Sequence, residues 1–170
     1  MIEPKQSVVA YWLIPAAPAR GFFTETIRRL AQEYNGPIFE PHLTLAVGPD
    51  APGEEDRAFA GLTLGPINLR SAGLAFTSKF TQTLFVRFEQ SPELRRLRAS
   101  LGWPEDRAFI PHLSLLYQKL RVAQRGRLAH EIRLPFATVT FDSVAATRCR
   151  VPVESAADVA LWEIIARRPL

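Results

Sequence analysis

From Ser7 to Ile14 nearly every residue is β-branched, aromatic or aliphatic, and the run ends at Pro15, the pattern of a buried strand. Phe23, Ile27, Leu30, Ala31 and Tyr34 then recur at helical spacing, with Glu25, Arg28, Arg29 and Gln32 on the opposite face, so an amphipathic helix follows. Asn35-Gly36-Pro37 stops it. After a short loop, His42 to Val47 is an apolar run closed by Gly48-Pro49, which reads as a second strand. The same order then returns. Thr83 to Glu89 reads as a strand. Ser91-Pro92-Glu93 starts a helix with a capping hydroxyl, a proline at the first helical position and an acid near the positive end. Leu94, Leu97 and Leu101 give that helix an apolar face as far as Gly102, and a loop leads to a strand in His112 to Tyr117.

Strand, helix, loop and strand therefore occur twice, with Arg28-Arg29-Leu30 and Arg95-Arg96-Leu97 in comparable helical positions. The second strands carry almost the same pentapeptide, Pro41-His42-Leu43-Thr44-Leu45 and Pro111-His112-Leu113-Ser114-Leu115. An internal duplication of this kind predicts packing about a pseudo-twofold axis, with His42 and His112 on opposite walls of one cleft. The rest of the chain predicts a short helix in Glu54 to Leu62 and strands in Ile67 to Leu69 and Leu74 to Thr77. A helix follows in Arg121 to Ile132, then strands in Ala137 to Arg148 and Val159 to Arg167. No linker or low-complexity segment divides the 170 residues, so one two-lobed domain over 1–170 is expected.

Composition narrows the function classes. An apolar content of 47% and a charged content of 22% fit a globular chain and argue against disorder. The longest apolar stretch, Val8 to Ala19, is too short to span a bilayer and contains two prolines; it reads as a strand rather than a secretory leader. A single cysteine, Cys149, forms no internal disulfide, in keeping with a cytoplasmic location. The net charge is +4 and all but three of the 21 basic side chains are arginine, which suits anionic ligands, although the arginines are scattered rather than gathered into a nucleic-acid tract.

The repeated motif carries the chemistry. In a strand, residues i and i+2 share a face, so His42 with Thr44, and His112 with Ser114, each present an imidazole beside a hydroxyl. Hydrolysis of a phosphodiester without a metal needs a base for water, an acid for the leaving oxygen and donors for the phosphoryl oxygens. Two histidines and two hydroxyls supply that set, and imidazole exchanges its proton near neutral pH. A cyclic phosphate suits base and acid on opposite sides of phosphorus, with His112 assigned as base and His42 as acid. There is no His, Cys, Asp and Glu grouping at metal-ligand spacing, so no metal site and no cofactor is expected. His130 reads as a solvated residue on a surface helix, and the flanks of Ser114 do not resemble a nucleophile elbow.

The paired signatures His42-Leu43-Thr44 and His112-Leu113-Ser114 resemble those of the two-histidine phosphoesterase superfamily. Within it, Tyr11-Trp12-Leu13-Ile14-Pro15, Gly36-Pro37, Pro111 to Tyr117 and Leu161-Trp162-Glu163 are most similar to the cyclic phosphodiesterase group of plants and yeast. The resemblance implies an α+β fold, bilobal, with antiparallel sheets lining a central cleft and helices outside. It implies metal-independent hydrolysis of nucleoside 2′,3′-cyclic phosphates to 2′-phosphates, and of ADP-ribose 1″,2″-cyclic phosphate, a chemistry of RNA metabolism. Carried onto this chain, His42 and His112 are the catalytic pair, Thr44 and Ser114 bind phosphate, and Tyr117 positions a water or the phosphate. The chain departs from the eukaryotic enzymes between Val47 and Leu64 and around Trp103 to Phe109.

Trp12, Phe80 and Trp103 are candidates to stack on a nucleobase. Phe80 and Gln82 lie in the polar segment Ser78 to Thr83, read as a flap over the cleft, with Lys79 beside them in solvent. The expected ligand is a small cyclic phosphate bound by a monomer without a membrane. The alternatives are an RNA 2′,5′-ligase-like enzyme acting on RNA 3′ ends and a nucleotide-binding module without turnover.

Overall fold

A computed structural model describes residues 4–63 and 65–170; Leu64, the end of the first divergent loop, lies outside the described residues. In chain order the elements are β1 (Gln6–Pro15), α1 (Ala19–Tyr34), β2 (Leu43–Pro49), α2 (Glu54–Ala60), β3 (Ile67–Ala75), a single 3-10 turn (Phe80–Gln82), β4 (Leu84–Phe88), α3 (Pro92–Ser100), β5 (His112–Leu116), α4 (Val122–Glu131), β6 (Thr138–Val151), α5 (Ala156–Ala160) and β7 (Glu163–Pro169). The fold is α+β, as expected. The antiparallel strands form one sheet in the order β1-β2-β5-β4-β3-β6-β7, and β1 also pairs with β6, so the sheet closes on itself.

The duplication is visible in the register. β1 pairs with β2 as β4 pairs with β5, and the two halves meet where Leu43 faces Leu113, equivalent residues of the two pentapeptides. Two equivalent residues opposite each other in an antiparallel pair place a local twofold axis between them. Both leucines are fully buried, so the axis is cemented by apolar packing. The symmetry extends to an irregularity. The register of β1 on β2 slips between Tyr11 and Trp12, leaving Leu45 without a partner, and that of β4 on β5 slips between Leu84 and Phe85, leaving Leu115 without one. Each bulge sits beside its motif and bends the strand there.

β1 is apolar throughout because both its faces are covered. Val9, Tyr11 and Leu13 join the main core, whereas Val8, Ala10, Trp12 and Ile14 pack with Ala145 and Cys149 of β6 on the other face. The helix ends follow their sequence signals. Asn35 takes the left-handed conformation (φ 53°) that closes α1, and the Ser91 hydroxyl accepts from Leu94 N (3.1 Å) at the start of α3. Ser91→Ala is expected to lower stability by about 1 kcal/mol, the usual worth of such a cap, without altering ligand binding. Chemical denaturation checks it.

Two expectations are corrected. Ile67 to Leu69 and Leu74 to Thr77 are not separate strands but the ends of β3, joined through an irregular stretch between Ser71 and Leu74 where Gly73 adopts φ 91°. Val159 to Arg167 is not one strand. Ser155 and Asp158 cap each other at the start of α5, which takes Val159 into a helix, and β7 begins only at Glu163. Among the described residues no helix is long and apolar enough to cross a membrane.

Candidate active site

The two motifs open into one cleft. His42, Thr44, Gln82, His112 and Tyr117 all line a cavity of about 390 Å³ whose floor is the apolar face of β1 and β6, with Trp12 and Trp162 beside it. Both imidazoles are held in the same way. His42 Nδ1–H donates to the carbonyl of Glu40 (2.7 Å) and His112 Nδ1–H to that of Ile110 (2.9 Å), each two residues upstream. A carbonyl only accepts, so in each ring the neutral tautomer carries its proton on Nδ1 and leaves the Nε2 lone pair for the cleft.

The environments of the two rings differ. His42 is 5% exposed and stacks face to face on Trp12, with ring centroids 3.8 Å apart. Burial pushes its pKa down to about 4; the nearby His112 acts in the same direction, while the Glu40 carbonyl works against it. His42 is therefore neutral at neutral pH, which fits a base and not the acid expected from the motif. His112 is half-buried. Its ring meets Phe85 edge-on (5.2 Å) and its Nε2 lies 3.4 Å from the side-chain amide of Gln82. Phe85 occupies the place in β4 that Trp12 occupies in β1, each opposite the hydroxyl residue of its motif.

The hydroxyls divide as well. Thr44 is half-exposed and lines the cleft. Ser114 is 5% exposed, and its hydroxyl donates to the carbonyl of Thr81 (2.7 Å), so its proton is committed within the protein. Tyr117 stands on the cleft wall, stacked on Phe39 (4.0 Å). Burial raises its pKa, outweighing the hydroxyl of Ser114 near its own, so Tyr117 stays a neutral donor.

The nucleobase candidates are sorted by the packing. Trp12 lines the cleft, but one face of its indole is taken by His42 and its edge by Trp162, which makes it a support for the histidine rather than an open platform. Phe80 packs toward Tyr117 (5.9 Å) and the core, away from the cleft. Gln82 is on the cleft, as expected. The segment carrying it is not a loose flap. Thr77 Oγ1 donates to the Gln82 carbonyl (2.8 Å), Ser114 holds Thr81, and Thr83 Oγ1 accepts from Gln118 N (3.0 Å). His130 is exposed, as read.

The motif reading passed over Trp162 and Phe85. Trp162 brings its indole within 5.9 Å of His42 and 5.8 Å of Tyr117, and its buried Nε1–H has no partner among the described residues. The signal for Phe85 was in the repeat, since it matches Trp12 once the bulges are aligned. Leu161-Trp162-Glu163 is among the segments that resemble the cyclic phosphodiesterase group, but nothing local places Trp162 at the cleft, which it reaches from the far end of the chain. Among the described residues, no group of three or more His, Cys, Asp or Glu side chains is clustered to hold a metal ion.

Comparison with known proteins agrees with the fold. No protein-family model matches the chain. It is 26% identical over 127 residues to the cyclic phosphodiesterase of Arabidopsis thaliana, a match covering 71% of this chain and 70% of that protein. The crystal structure of TT0787 from Thermus thermophilus superposes with a TM-score of 0.61 at 18% identity, covering 96% of this chain and 97% of its own. E. coli LigT, solved in complex with phosphate, superposes with a TM-score of 0.57 at 16% identity over 99% of both chains. These neighbours establish a shared fold.

Proposed function

We propose that the chain is a phosphoesterase that opens cyclic phosphates of the 2′,3′ type at the His42 and His112 pair, without a metal. The observation that carries this reading is the matched tethering of the two rings. Each Nδ1–H is fixed on a backbone carbonyl and each Nε2 is left to a shared cleft. The likeness to a cyclic phosphodiesterase supports it.

In this reading His42, neutral because it is buried, takes a proton from the attacking water through Nε2. His112, protonated on Nε2, passes a proton to the ring oxygen that leaves phosphorus. The proton balance of the two rings is restored through solvent after the product departs. Thr44 donates to a non-bridging oxygen and Tyr117 adds a second neutral donor, so negative charge growing on the phosphoryl group is met by hydrogen bonds already in place. Ser114 acts through the turn that it holds, fixing Gln82 beside His112. Expected substrates are nucleoside 2′,3′-cyclic phosphates, opened to 2′-phosphates, and ADP-ribose 1″,2″-cyclic phosphate.

The test is a panel of cyclic phosphates incubated with the protein in the presence of EDTA, with the position of the product phosphate read by phosphorus NMR. Turnover of a 2′,3′-cyclic phosphate to the 2′-phosphate is expected. Loss of turnover on chelation contradicts the metal-free mechanism, and tight product binding with no turnover of any member makes the chain a binding module.

A further inference from the structure

The two histidine tethers look alike but are anchored differently. In the second half of the sheet the ladder runs up to the motif: Arg87 pairs with His112, and Phe88 N donates to the carbonyl of Pro111 (2.9 Å). Ile110, whose carbonyl holds the His112 ring, is therefore next to a residue fixed by the sheet. Aligning Trp12 with Phe85, each opposite the hydroxyl residue of its motif, sets Leu13 against Val86, Ile14 against Arg87 and Pro15 against Phe88. Proline has no N–H, so the rung that Phe88 supplies has no counterpart in the first half. Accordingly β2 begins at Leu43, just past its histidine, whereas β5 begins at His112.

Residues 36–42 lie in no helix or strand. The Glu40 carboxylate ties this segment down beside His42. Its Oε1 accepts from Arg20 Nη2 of α1 (2.6 Å) and from Arg167 Nη1 of β7 (3.0 Å), and its Oε2 accepts from Arg167 Nη2 (2.5 Å). Arg167 grips the carboxylate with both arms of its fork, the geometry that makes such pairs strong and directional. The Glu40 side chain is only 17% exposed, so water competes for it less than for a typical surface pair. Ile110, its counterpart in the repeat, is apolar and exposed and forms no such clamp. The same residue supplies the carbonyl that holds the base. Face-to-face stacking on Trp12 fixes the plane of the His42 ring, but a stack is indifferent to which nitrogen carries the proton. The bond from Nδ1–H to the Glu40 carbonyl (2.7 Å) makes that choice and leaves the Nε2 lone pair for the cleft. A ring that loses this acceptor can carry its proton on Nε2 instead, and in that form it takes none from water.

Resting on the reading of the site given above, we infer that Glu40 is a positioning residue for the base. Held by Arg20 and Arg167, its side chain takes the place of the missing ladder bond and keeps the Glu40 carbonyl where it selects the reactive tautomer of His42. Two elements remote from the motif, the start of α1 and the last strand, thereby decide where the proton of the base sits.

Nitrogen-proton NMR correlation of the histidine rings, in protein labelled with nitrogen-15, reads which ring nitrogen holds the proton and needs no substrate. At neutral pH His42 in the unaltered protein is expected to be protonated on Nδ1. In Glu40→Ala the Nε2–H form is expected to appear, and kcat for a 2′,3′-cyclic phosphate to fall by at least about tenfold with KM unchanged, as for a misplaced catalytic group. Arg20→Met combined with Arg167→Met releases the same carboxylate through two exposed side chains and is expected to act in the same way. Glu40→Gln, which keeps an acceptor for the arginines, is expected to recover most of the activity and the Nδ1 proton. Retention of the Nδ1 proton in the arginine double variant overturns the proposal whether or not Glu40→Ala folds. So does a fall in kcat with the tautomer unchanged. Failure of the unaltered protein to turn over any cyclic phosphate, with the tautomer shifting in the variants as expected, would instead count against the catalytic reading alone.

Discussion

His42→Asn and His112→Asn are each expected to lower turnover of a 2′,3′-cyclic phosphate by ~100-fold or more, the usual contribution of a positioned acid or base. The two variants differ in everything else. Asparagine at 42 keeps a short polar side chain within reach of Glu40 but leaves the face of Trp12 bare, so some stability is lost with the activity. At 112 the ring is half-buried and meets Phe85 only by its edge, so the fold is expected to be untouched. The pH profile separates the roles. With His42 as base, kcat/KM in the unaltered protein keeps its acid limb well below the 6.5 of free imidazole, since the unprotonated ring persists down to about 4. Full activity in either folded variant would remove that histidine from the mechanism. An acid limb that disappears in His112→Asn and stays in His42→Asn would restore the opposite assignment.

Stability is expected to fall as the pH drops from 6.5 toward 4, by about 3 kcal/mol from His42 alone. The sign follows from proton binding. The folded pKa of about 4 lies below the 6.5 of the unfolded chain, so between those values the unfolded state holds more protons and acid favours it. The contribution is fully present above pH 6.5 and lost once the pH has passed through the folded value. Thermal melts at about pH 7 and about pH 4.5 should differ by less in His42→Asn than in the unaltered protein. An unchanged difference would mean that the ring is hydrated and titrates normally. A bound phosphate opposes the effect, because its negative charge favours protonated His42 and raises its pKa.

Much of this site was legible before any coordinates. The order of strand, helix and motif strand, its repetition and the residue types at i and i+2 sufficed to bring His42 and His112 into one cleft, because side-chain direction in a strand has a period of two and a repeated unit packs with its equivalents related. The helix ends at Asn35 and Ser91 were equally readable, since caps are local chemistry. The reading failed where a local signal was weak or the context distant. Ser155 and Asp158 form a reciprocal cap too short to show in the hydrophobic pattern, and β3 appeared as two strands because Gly73 interrupts it.

The sheet order, the closure of β1 on β6 and the arrival of Trp162 beside His42 depend on pairings between residues far apart in the chain, to which no short window gives access. The same holds for the properties that separate the two halves. Both motifs look alike as letters, but a proton's preference for one imidazole over the other is set by how much water each ring has lost. His42 loses it to Trp12 and the core behind it, while His112 keeps one side open. Residue type and periodicity pointed to four chemical groups around one cleft, of which His42, Thr44 and His112 line it. Burial, which exists only once distant segments have packed, made His42 the neutral partner and turned Ser114 toward Thr81.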